Sequence, residues 1–439
     1  MNKIKIIGAG LAGSEAAWQL AQRGFDVELY EMRPEHRSPA HSTGFFAELV
    51  CSNSLRGAAL STAPGLLKEE LRCAGSLIME CADATQTPAG GALAVDREGF
   101  AALVTQRIEA HPRITVRRER VDEIPSGPVI IASGPLTEGA LADAVGTLIG
   151  GEARLHFYDA AAPVVSFDSI DMESAYFASR YNKGTADYIN CPLTREQYIA
   201  FVQALATAEE APVHGFEDKK VFEGCMPVEV MARRGEDTLR YGPMKPVGLS
   251  DPRTGERAYA VLQLRADNRE KTMFNLVGFQ THLKFPEQKR VFGMIPALQN
   301  AEYYRYGVMH RNSFLNAPQL LDGFYRLKSC PDVWFAGQIT GVEGYIESCA
   351  SGLCAGIHAA RQLAGREPIV FPRETALGAL ALHVSEYDGH DYQPMNINFG
   401  MIAPLGMRIR GKRERYLAVA ERALHEIDTL RERMREDVL

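Results

Sequence analysis

The chain has no run of about 18 apolar residues, so no ordinary membrane-spanning helix is expected. The most apolar stretch, 375–384, is too short for one. Its eight cysteines form no CxxC pair, and no Cys/His cluster has zinc spacing, so no metal is expected. Cysteines used this sparsely fit a reducing compartment, where thiols stay free. The first residues run straight into a core-type strand, without the layered charged and apolar blocks of a signal peptide, and the expected location is cytoplasmic. A basic excess is also missing: 48 Lys and Arg stand against 55 Asp and Glu, a net charge of -7. This argues against a general positive coat for nucleic acid. A local basic face stays compatible, because phosphates meet a face and not an average. Internal repeats and low-complexity tracts are absent. With 439 residues, 46% hydrophobic and 23% charged, the composition is that of a globular protein of two or three domains.

What is present begins at once. A strand, Lys3 to Ile7, enters Gly8-Ala9-Gly10-Leu11-Ala12-Gly13 and a helical stretch; a second strand from Asp26 ends at Glu31. Gly8 permits a sharp turn, Gly10 leaves the backbone open to a pyrophosphate, and Gly13 lets the helix lie close to the strand. The helix N-terminus offers free N–H groups to phosphate. Glu31 follows Gly13 by 18 residues, where a carboxylate meets ribose hydroxyls. A further strand, Val129 to Ala132, ends in Ser133-Gly134. Late in the chain, Val333 to Ala336 runs into Gly337-Gln338-Ile339-Thr340-Gly341-Val342-Glu343-Gly344-Tyr345 and another helix. One such turn serves an NAD dehydrogenase; an early and a late turn together favour FAD as the tightly held dinucleotide. The expected cofactor residues are Gly8, Ala9, Gly10, Leu11, Ala12, Gly13, Glu31, Gly134, Gly337, Gln338, Gly341 and Gly344.

Between these turns the pattern changes. Residues 65–82 carry helical spacing, but from about 155 short β-like runs replace the βα rhythm. Thr194 with Gln197 forms a capping-box pattern ahead of a helix over 194–207. The expected fold is α/β, a Rossmann-like FAD-binding domain with an inserted α+β domain. Residues 1–154 form the first part, 155–325 the insert, 326–370 the return segment, and 371–439 a basic, helical C-terminal tail.

Two cysteines sit in polar loops. Cys51 lies in Glu48-Leu49-Val50-Cys51-Ser52-Asn53-Ser54-Leu55-Arg56, and Cys225 in Glu223-Gly224-Cys225-Met226-Pro227. Loop thiols near cations can act as nucleophilic thiolates. Cys73, Cys81, Cys349 and Cys354 lie in helical runs and read as core residues; Cys191 and Cys330 precede Pro and read as turn residues. Three basic clusters are candidate RNA-facing patches: Arg117-Arg118 with Arg120, Lys219-Lys220, and Arg408 to Arg413. The aromatic and cationic run Tyr303 to Asn312 reads best as a surface strand.

The segments GAGLAGSEAAWQLA, ELVCSNSLRG, IIASGPLT, PVEVMARRGEDTLRYGPMKPVGL, NLVGFQTHLKFPEQKRVF, IPALQNAEYYRYGVMHRN and FAGQITGVEGYIESCASGLCAG together resemble the TrmFO family of folate- and FAD-dependent tRNA uracil-5-methyltransferases. The flavin motifs are shared with the longer relative GidA/MnmG, which acts on wobble uridines. The resemblance implies methylation at C5 of uridine 54 in the tRNA T-loop. The carbon comes from 5,10-methylenetetrahydrofolate, and the reductant is FADH2 regenerated by NADPH or NADH. It places Cys51 and Cys225 in the chemistry, one adding to uracil C6 and the other serving as acid/base partner. Cys51 is favoured as nucleophile, with the assignment left open. Arg56 is a candidate donor to uracil O4; His310 and Tyr345 are candidates to line the pterin stack. tRNA and folate are the implied partners, with no obligatory protein partner. The competing readings are an MnmG-like subunit for wobble-uridine modification, a small-molecule flavin oxidoreductase, and an RNA-binding module without turnover.

Overall fold

The computed structural model describes residues 3–38, 40–151, 154–160, 162–182, 185–211, 226–268, 270–307, 309–387 and 392–437. Five parallel strands form the first sheet, in the order Val333–Phe335, Val129–Ile131, Lys3–Ile7, Asp26–Tyr30 and Ile114–Arg117. Val129–Ile131 and Val333–Phe335 are continuous apolar runs, as expected where helices cover both faces of a parallel sheet, while Lys3–Ile7 keeps a lysine at alternate positions, Lys3 and Lys5. Ile4, Ile6, Val129, Ile130, Ile131 and Trp334 are accordingly all fully buried. Two helices, Leu11–Gln22 and Tyr345–Leu363, meet backbone to backbone. A Cβ on Gly352 would stand 2.2 Å from the Ala12 carbonyl oxygen, so only glycine admits this crossing.

The helical spacing over 65–82 resolves into two helices, Ala63–Cys73 and Leu77–Ala84. The break comes at Gly75, whose left-handed φ of 74° turns the chain. Ser76 then caps the second helix by accepting the Met79 N–H at 3.2 Å.

The middle of the chain builds a second sheet with its own core. Its six strands are antiparallel, in the order Tyr176–Ala178, Tyr188–Leu193, Ala260–Ala266, Met273–Leu276, Val164–Ser166 and Tyr303–Arg305. The core residues run from Val165 to Ala301. The helix Arg195–Thr207 packs Tyr198, Phe201 and Leu205 onto this sheet. Its capping box is formed: the Thr194 hydroxyl accepts the Gln197 N–H at 3.3 Å, and the Gln197 side chain accepts the Thr194 N–H at 2.8 Å. Cys191 is not in a turn. It lies inside the strand Tyr188–Leu193, fully buried, and burial pushes its thiol up. The following Pro192 is tolerated because one neighbouring strand pairs only as far as Asn190, so a missing N–H costs no ladder bond there.

A two-stranded ribbon, Arg154–Ala160 with Met309–Leu315, connects the two bodies. Phe314, Leu315, Leu321, Tyr325 and Leu327 already pack in the first core. So do parts of two C-terminal helices, Ala376–Glu386 and Lys412–Glu436, through Leu377, Leu380, Val384, Ala420 and Ile427. Glu70 fixes the first of these, its two oxygens accepting the Ala376 and Leu377 N–H groups at 2.7 and 2.9 Å.

Candidate functional site

The carboxyl ends of the parallel strands open into a cavity of about 430 Å³. Gly8, Gly10, Leu11, Ala12, Glu31, Gly134, Gly337, Gln338 and Tyr345 line it. The three early glycines do different work. Gly8 has φ 97°, and a Cβ there would lie 2.6 Å from the Ala132 carbonyl oxygen. At Gly13 a Cβ would come within 1.8 Å of the Gly8 oxygen, so Gly13 sets the contact of helix on strand. Around Gly10 no protein atom lies within 4 Å of a Cβ. This open space borders the cavity where the helix Leu11–Gln22 begins, and it matches the room a phosphate needs. The late helix Tyr345–Leu363 also turns its N-terminal residues Tyr345 and Ser348 to the cavity. Two long helices thus aim positive dipole ends at one space. The geometry and donor set fit a dinucleotide.

Glu31 is buried at the cavity edge. Oε1 accepts the Arg33 N–H and Nε at 3.0 and 2.8 Å; Oε2 accepts the Ala9 N–H and Arg33 Nη2 at 2.9 and 3.0 Å. Burial pushes this carboxyl up, but the Arg33 guanidinium and the two amides outweigh it, leaving Glu31 below the usual carboxylate range. Four donors fill its acceptor sites, so a ribose hydroxyl must share or displace one of them. Arg33 also pairs with Glu48 at 3.2 Å. Glu48 in turn accepts the backbone and hydroxyl donors of Ser42 and Thr43, which orders the polar segment after the second strand.

Ala9 and Gly13 stand behind the cavity. Gly341 and Gly344 shape the late turn: their φ values are 85° and 112°, and added Cβ atoms would meet Tyr392 and Glu347. Gln338 lines the cavity and donates to both Glu343 oxygens at 2.8 Å.

The Cys51 segment crosses beside this cavity, with its neighbour Val50 and Tyr345 among the lining residues. Tyr345 Oη accepts the Cys51 and Ser52 N–H groups at 2.7 and 3.2 Å, and burial pushes this phenol up. Arg305 donates to the Val50 and Cys51 carbonyls at 3.0 and 2.9 Å. Arg97 donates to the Leu49 carbonyl and pairs with Asp267 at 2.8 Å. Arg265 donates to Ser52 Oγ at 2.9 Å and to Asn53 Oδ1 at 3.2 Å. The Asn53 amide donates to the Val95 and Ala266 carbonyls at 2.9 and 3.0 Å. Cys51 is therefore held between Tyr345 and Arg97, at the starts of two helices, and Arg265 and Arg305, on strands of the second sheet. A charge on its sulfur would favour the charged forms of Arg97 and Arg305, so both guanidiniums contribute a positive field at the thiol.

Arg56 is committed elsewhere: its guanidinium pairs with buried Glu347, in the first turn of the late helix. Glu347 Oε1 also accepts the Ile397 N–H at 2.9 Å. Arg56 has a left-handed φ of 63°, and buried Lys68 fastens the backbone on both sides of it, donating to the Leu55 and Gly57 carbonyls at 2.8 Å. Burial pushes Lys68 down to about 7; Arg56 adds to this and Glu347 opposes it.

Other expected residues fall away from the cavity or outside the description. Cys225 and Lys219-Lys220 lie outside the described residues. The backbone of His310 is in the ribbon opposite Asp159, while its side chain lies outside the described residues. Arg117, Arg118 and Arg120 do not form a free patch: Arg117 pairs with Glu28, Arg118 with Glu109, and Arg120 with Asp122, at 3.4, 2.8 and 2.7 Å. Arg118 also lies over the Phe46 ring. The cluster Arg408, Arg410, Lys412 and Arg413 is exposed. Sequence reasoning missed Arg33, Lys68, Arg97, Arg265, Asp267, Arg305 and Glu347. The AEYYRYG and GVEGYIES segments, which hold Arg305 and Glu347, were visible, but nothing local tells which distant acid meets which cation.

The architecture is a Rossmann-like FAD-binding fold carrying an inserted domain. A family model described as glucose inhibited division protein A matches residues 3–367. Two relatives named methylenetetrahydrofolate–tRNA-(uracil-5-)-methyltransferase TrmFO come from Heliobacterium modesticaldum and Enterococcus faecalis. They are 60% and 58% identical over 426 and 423 residues, covering 97% and 96% of this chain and 97% of each relative. The chain belongs to the glucose inhibited division protein A family, in its TrmFO branch. The structure of Aquifex aeolicus GidA in its form II crystal is similar with a TM-score of 0.72 at 16% identity, over 100% of this chain and 74% of that one. The form I crystal gives the same TM-score, 0.72, at 17% identity and 76% coverage of that chain; both likenesses speak for the fold.

Proposed function

We propose that this chain methylates C5 of uridine 54 in the tRNA T-loop, with 5,10-methylenetetrahydrofolate as carbon donor. The observation that carries the reading is the Cys51 segment, tied by Tyr345, Arg97, Arg265 and Arg305 beside a cavity shaped for a dinucleotide. The names of relatives at 58–60% identity support it. Gly8, Gly10, Leu11, Ala12, Gly134, Gly337 and Gln338 would hold FAD there, with Glu31 at the ribose end. When reduced, as FADH2, the flavin would supply the hydride that completes the methyl group, and NADPH or NADH would reduce it again.

The protein's own part follows from the weak nucleophilicity of uracil C5. A thiolate adding at C6 moves an electron pair onto the O4 enolate and makes C5 electron-rich. C5 then bonds to the methylene carbon as one of that carbon's two bonds to folate nitrogen breaks. Loss of the C5 proton to a base expels the second folate nitrogen and leaves an exocyclic methylene on the ring, and the thiolate leaves C6 as a hydride would complete the methyl group. Cys51 and Cys225 divide the nucleophile and acid/base roles. Positive charge from Arg97 and Arg305 favours the thiolate of Cys51. The Cys51 and Ser52 N–H groups are engaged by Tyr345 and Arg56 is paired with Glu347, so Arg56 would have to exchange partners to donate to O4. The exposed run from Arg408 to Arg413 is the surface we assign to tRNA phosphates; the chain just before it reaches the site where Asn396 donates to the Glu343 carbonyl at 2.5 Å. We place the reaction in the cytoplasm, with no obligatory protein partner.

The test combines the purified protein with labelled methylenetetrahydrofolate, NADPH and an unmodified tRNA transcript. Label is expected at C5 of the T-loop uridine, and Cys51→Ala and Cys225→Ala should each abolish it while FAD stays bound. Label at the wobble position, NADPH oxidation without label, or full activity in both variants would each overturn the reading.

A further inference from the structure

One exposed surface takes no part in the site described above. The short helix Thr238–Tyr241 and the loop after it carry Tyr241, 72% exposed, Lys245, and Val247, 43% exposed. Tyr181, 58% exposed, lies against this loop. Its N–H donates to the Gly248 carbonyl at 2.7 Å, and a Cβ on Gly248 would stand 2.8 Å from its ring. Arg180 fastens the same loop, donating to the Lys245 carbonyl at 2.9 Å and to the Val247 carbonyl. Arg240 donates to the Tyr259 carbonyl at 3.0 Å and lies over the Tyr241 and Tyr259 rings, 5.8 and 4.3 Å from their centres. Rings and cations thus share one surface.

The charge of this surface is uncompensated. Arg180 and Arg240 donate to carbonyls and to the Gln263 side chain, and with Lys245 they form no ion pair among the described residues. Glu236 and Asp237, just ahead of the helix, pair with none of the three. In the run Arg117 to Arg120, by contrast, each guanidinium has its carboxylate. The rings are held outward: Tyr181 has a left-handed φ of 60°, a conformation that side chains disfavour. The surface also leads to the site. Arg180 Nη2 donates to the Gln263 side-chain oxygen at 2.9 Å. Gln263 and Arg265 are two residues apart in the strand Ala260–Ala266, so they share a face about 7 Å apart. Arg265 holds Ser52 and Asn53. Three side chains thus connect the surface to the Cys51 segment.

We propose that this surface receives the unpaired RNA nucleotides that flank the target uridine. Lys245, with the charge of Arg180 and Arg240, meets their phosphates, and the Tyr241 and Tyr181 rings stack their bases. The inference rests on the reading of tRNA as substrate and adds where the strand runs. Cations without acid partners attract phosphates, and exposed flat rings beside them suit any unpaired base. The target lies in a loop, so its neighbours have base faces to offer once the loop opens. These contacts add to those assigned to the run Arg408 to Arg413.

The full-length, FAD-loaded protein is compared with Tyr241→Ala, Tyr241→Trp, Lys245→Ala and, as control, Arg113→Ala. Arg113 is exposed at the amino end of the parallel sheet, opposite the cavity. Binding of unmodified tRNA transcript is measured without folate at about 50, 100 and 200 mM KCl. FAD content, Tm, sedimentation, and the kcat and KM of methyl transfer are measured alongside. Tyr241→Ala should weaken binding about five- to 150-fold with the parental salt dependence, while Tyr241→Trp binds like the parent. Lys245→Ala should weaken binding and reduce the slope of log Kd against log salt by about 0.7 to 0.9. In Tyr241→Ala and Lys245→Ala the loss should fall on KM for tRNA more than on kcat. Arg113→Ala should bind like the parent. Parental affinity in Tyr241→Ala or in Lys245→Ala, with uridine 54 methylated by the parent, would overturn the inference and leave the proposed function standing. Equal losses in Arg113→Ala, or losses matched by a fall in FAD content or Tm, would overturn it as well. So would a parental dimer that Tyr241→Ala splits, because the surface would then belong to a second copy. A parent that binds no tRNA would remove the substrate reading and this inference together.

Discussion

Replacing Gly10 and Gly13 by alanine separates a space kept for a ligand from a space kept for packing. Gly10 has an ordinary φ of -72°, and an added Cβ meets no protein atom within 4 Å. Its fold stability should move by no more than about 0.5 kcal/mol. A phosphate oxygen hydrogen-bonded to this backbone would, however, meet the new methyl group. Losing one charge-assisted bond costs about 1.5–3 kcal/mol, which is roughly a 10- to 150-fold weaker grip on FAD. At Gly13 the added Cβ stands 1.8 Å from the Gly8 oxygen, so the helix must withdraw by roughly 1.5 Å from a close-packed core. Overpacking of this kind costs about 1–3 kcal/mol and lowers Tm by several degrees. Thermal unfolding of the apo-proteins and titration with FAD read the two effects separately. A Gly10→Ala protein that binds FAD like the parent would refute the phosphate reading. One that melts as early as Gly13→Ala would show that the space serves the fold.

Two further outcomes follow from buried polar groups. Tyr345→Phe keeps the ring but strands the Cys51 and Ser52 N–H groups. At about 1 kcal/mol each, with water partly replacing the hydroxyl, single-turnover methyl transfer should fall about five- to thirtyfold while FAD stays bound; a parental rate would remove the hydroxyl from any role in holding Cys51. For Lys68, the folded group is pushed from 10.5 down to about 7. Between those values the unfolded chain binds more protons than the native one, so this group makes stability rise with pH across that window, by up to about 1.4 kcal/mol per pH unit. Below about pH 7 its contribution is gone, because both states are protonated and the buried charge is carried at full cost. Lys68→Met should shift stability by a pH-independent offset, from the two carbonyls it leaves unpaired, and remove that rise. Denaturant unfolding at pH 6.5, 8 and 9.5 measures it; parallel curves for parent and variant would sink the assignment.

The parallel sheet and its cavity were legible because their signals are local. A strand, a glycine turn and a helix start lie within a dozen residues; Gly8 and Gly13 have a steric reason in the structure, and Gly10 borders open space. The capping box at Thr194 was legible for the same reason, since its two hydrogen bonds join residues three apart. Cys191 was misread because a following proline usually marks a turn; only the pairing of the sheet shows that the neighbour strand has already stopped. The helical spacing over 65–82 was legible, but not the break at Gly75, where a left-handed residue divides it into two helices. The partners of Cys51 were illegible for a different reason. Arg97 meets Asp267, and Arg305 meets Val50 and Cys51, across 170 residues or more of chain. No periodicity encodes such pairings. The basic run at 117–120 looked like a surface patch until Glu28 of the first sheet, Glu109 of a helix and Asp122 two residues on accounted for its three guanidiniums.

These long-range contacts give the inserted domain a mechanical role. The first sheet alone supplies a cavity and two helix ends, all on rigid elements. The thiol beside it lies on a loop, and loops open at low free-energy cost. Arg265 and Arg305 come from strands of the second sheet, and Asp267 directly follows one of them. They hold the carbonyls and side chains of Val50 to Asn53 from one side, while Tyr345 and Arg97 hold from the other. A rigid shift of the second sheet would therefore carry the Cys51 backbone with it, yet leave Gly8, Gly10 and Gly13 where they are. Cofactor binding and thiol placement are thus fixed by different parts of the chain. A substitution in the second sheet can disturb the thiol without loosening the dinucleotide, and one in the glycine turn can do the reverse.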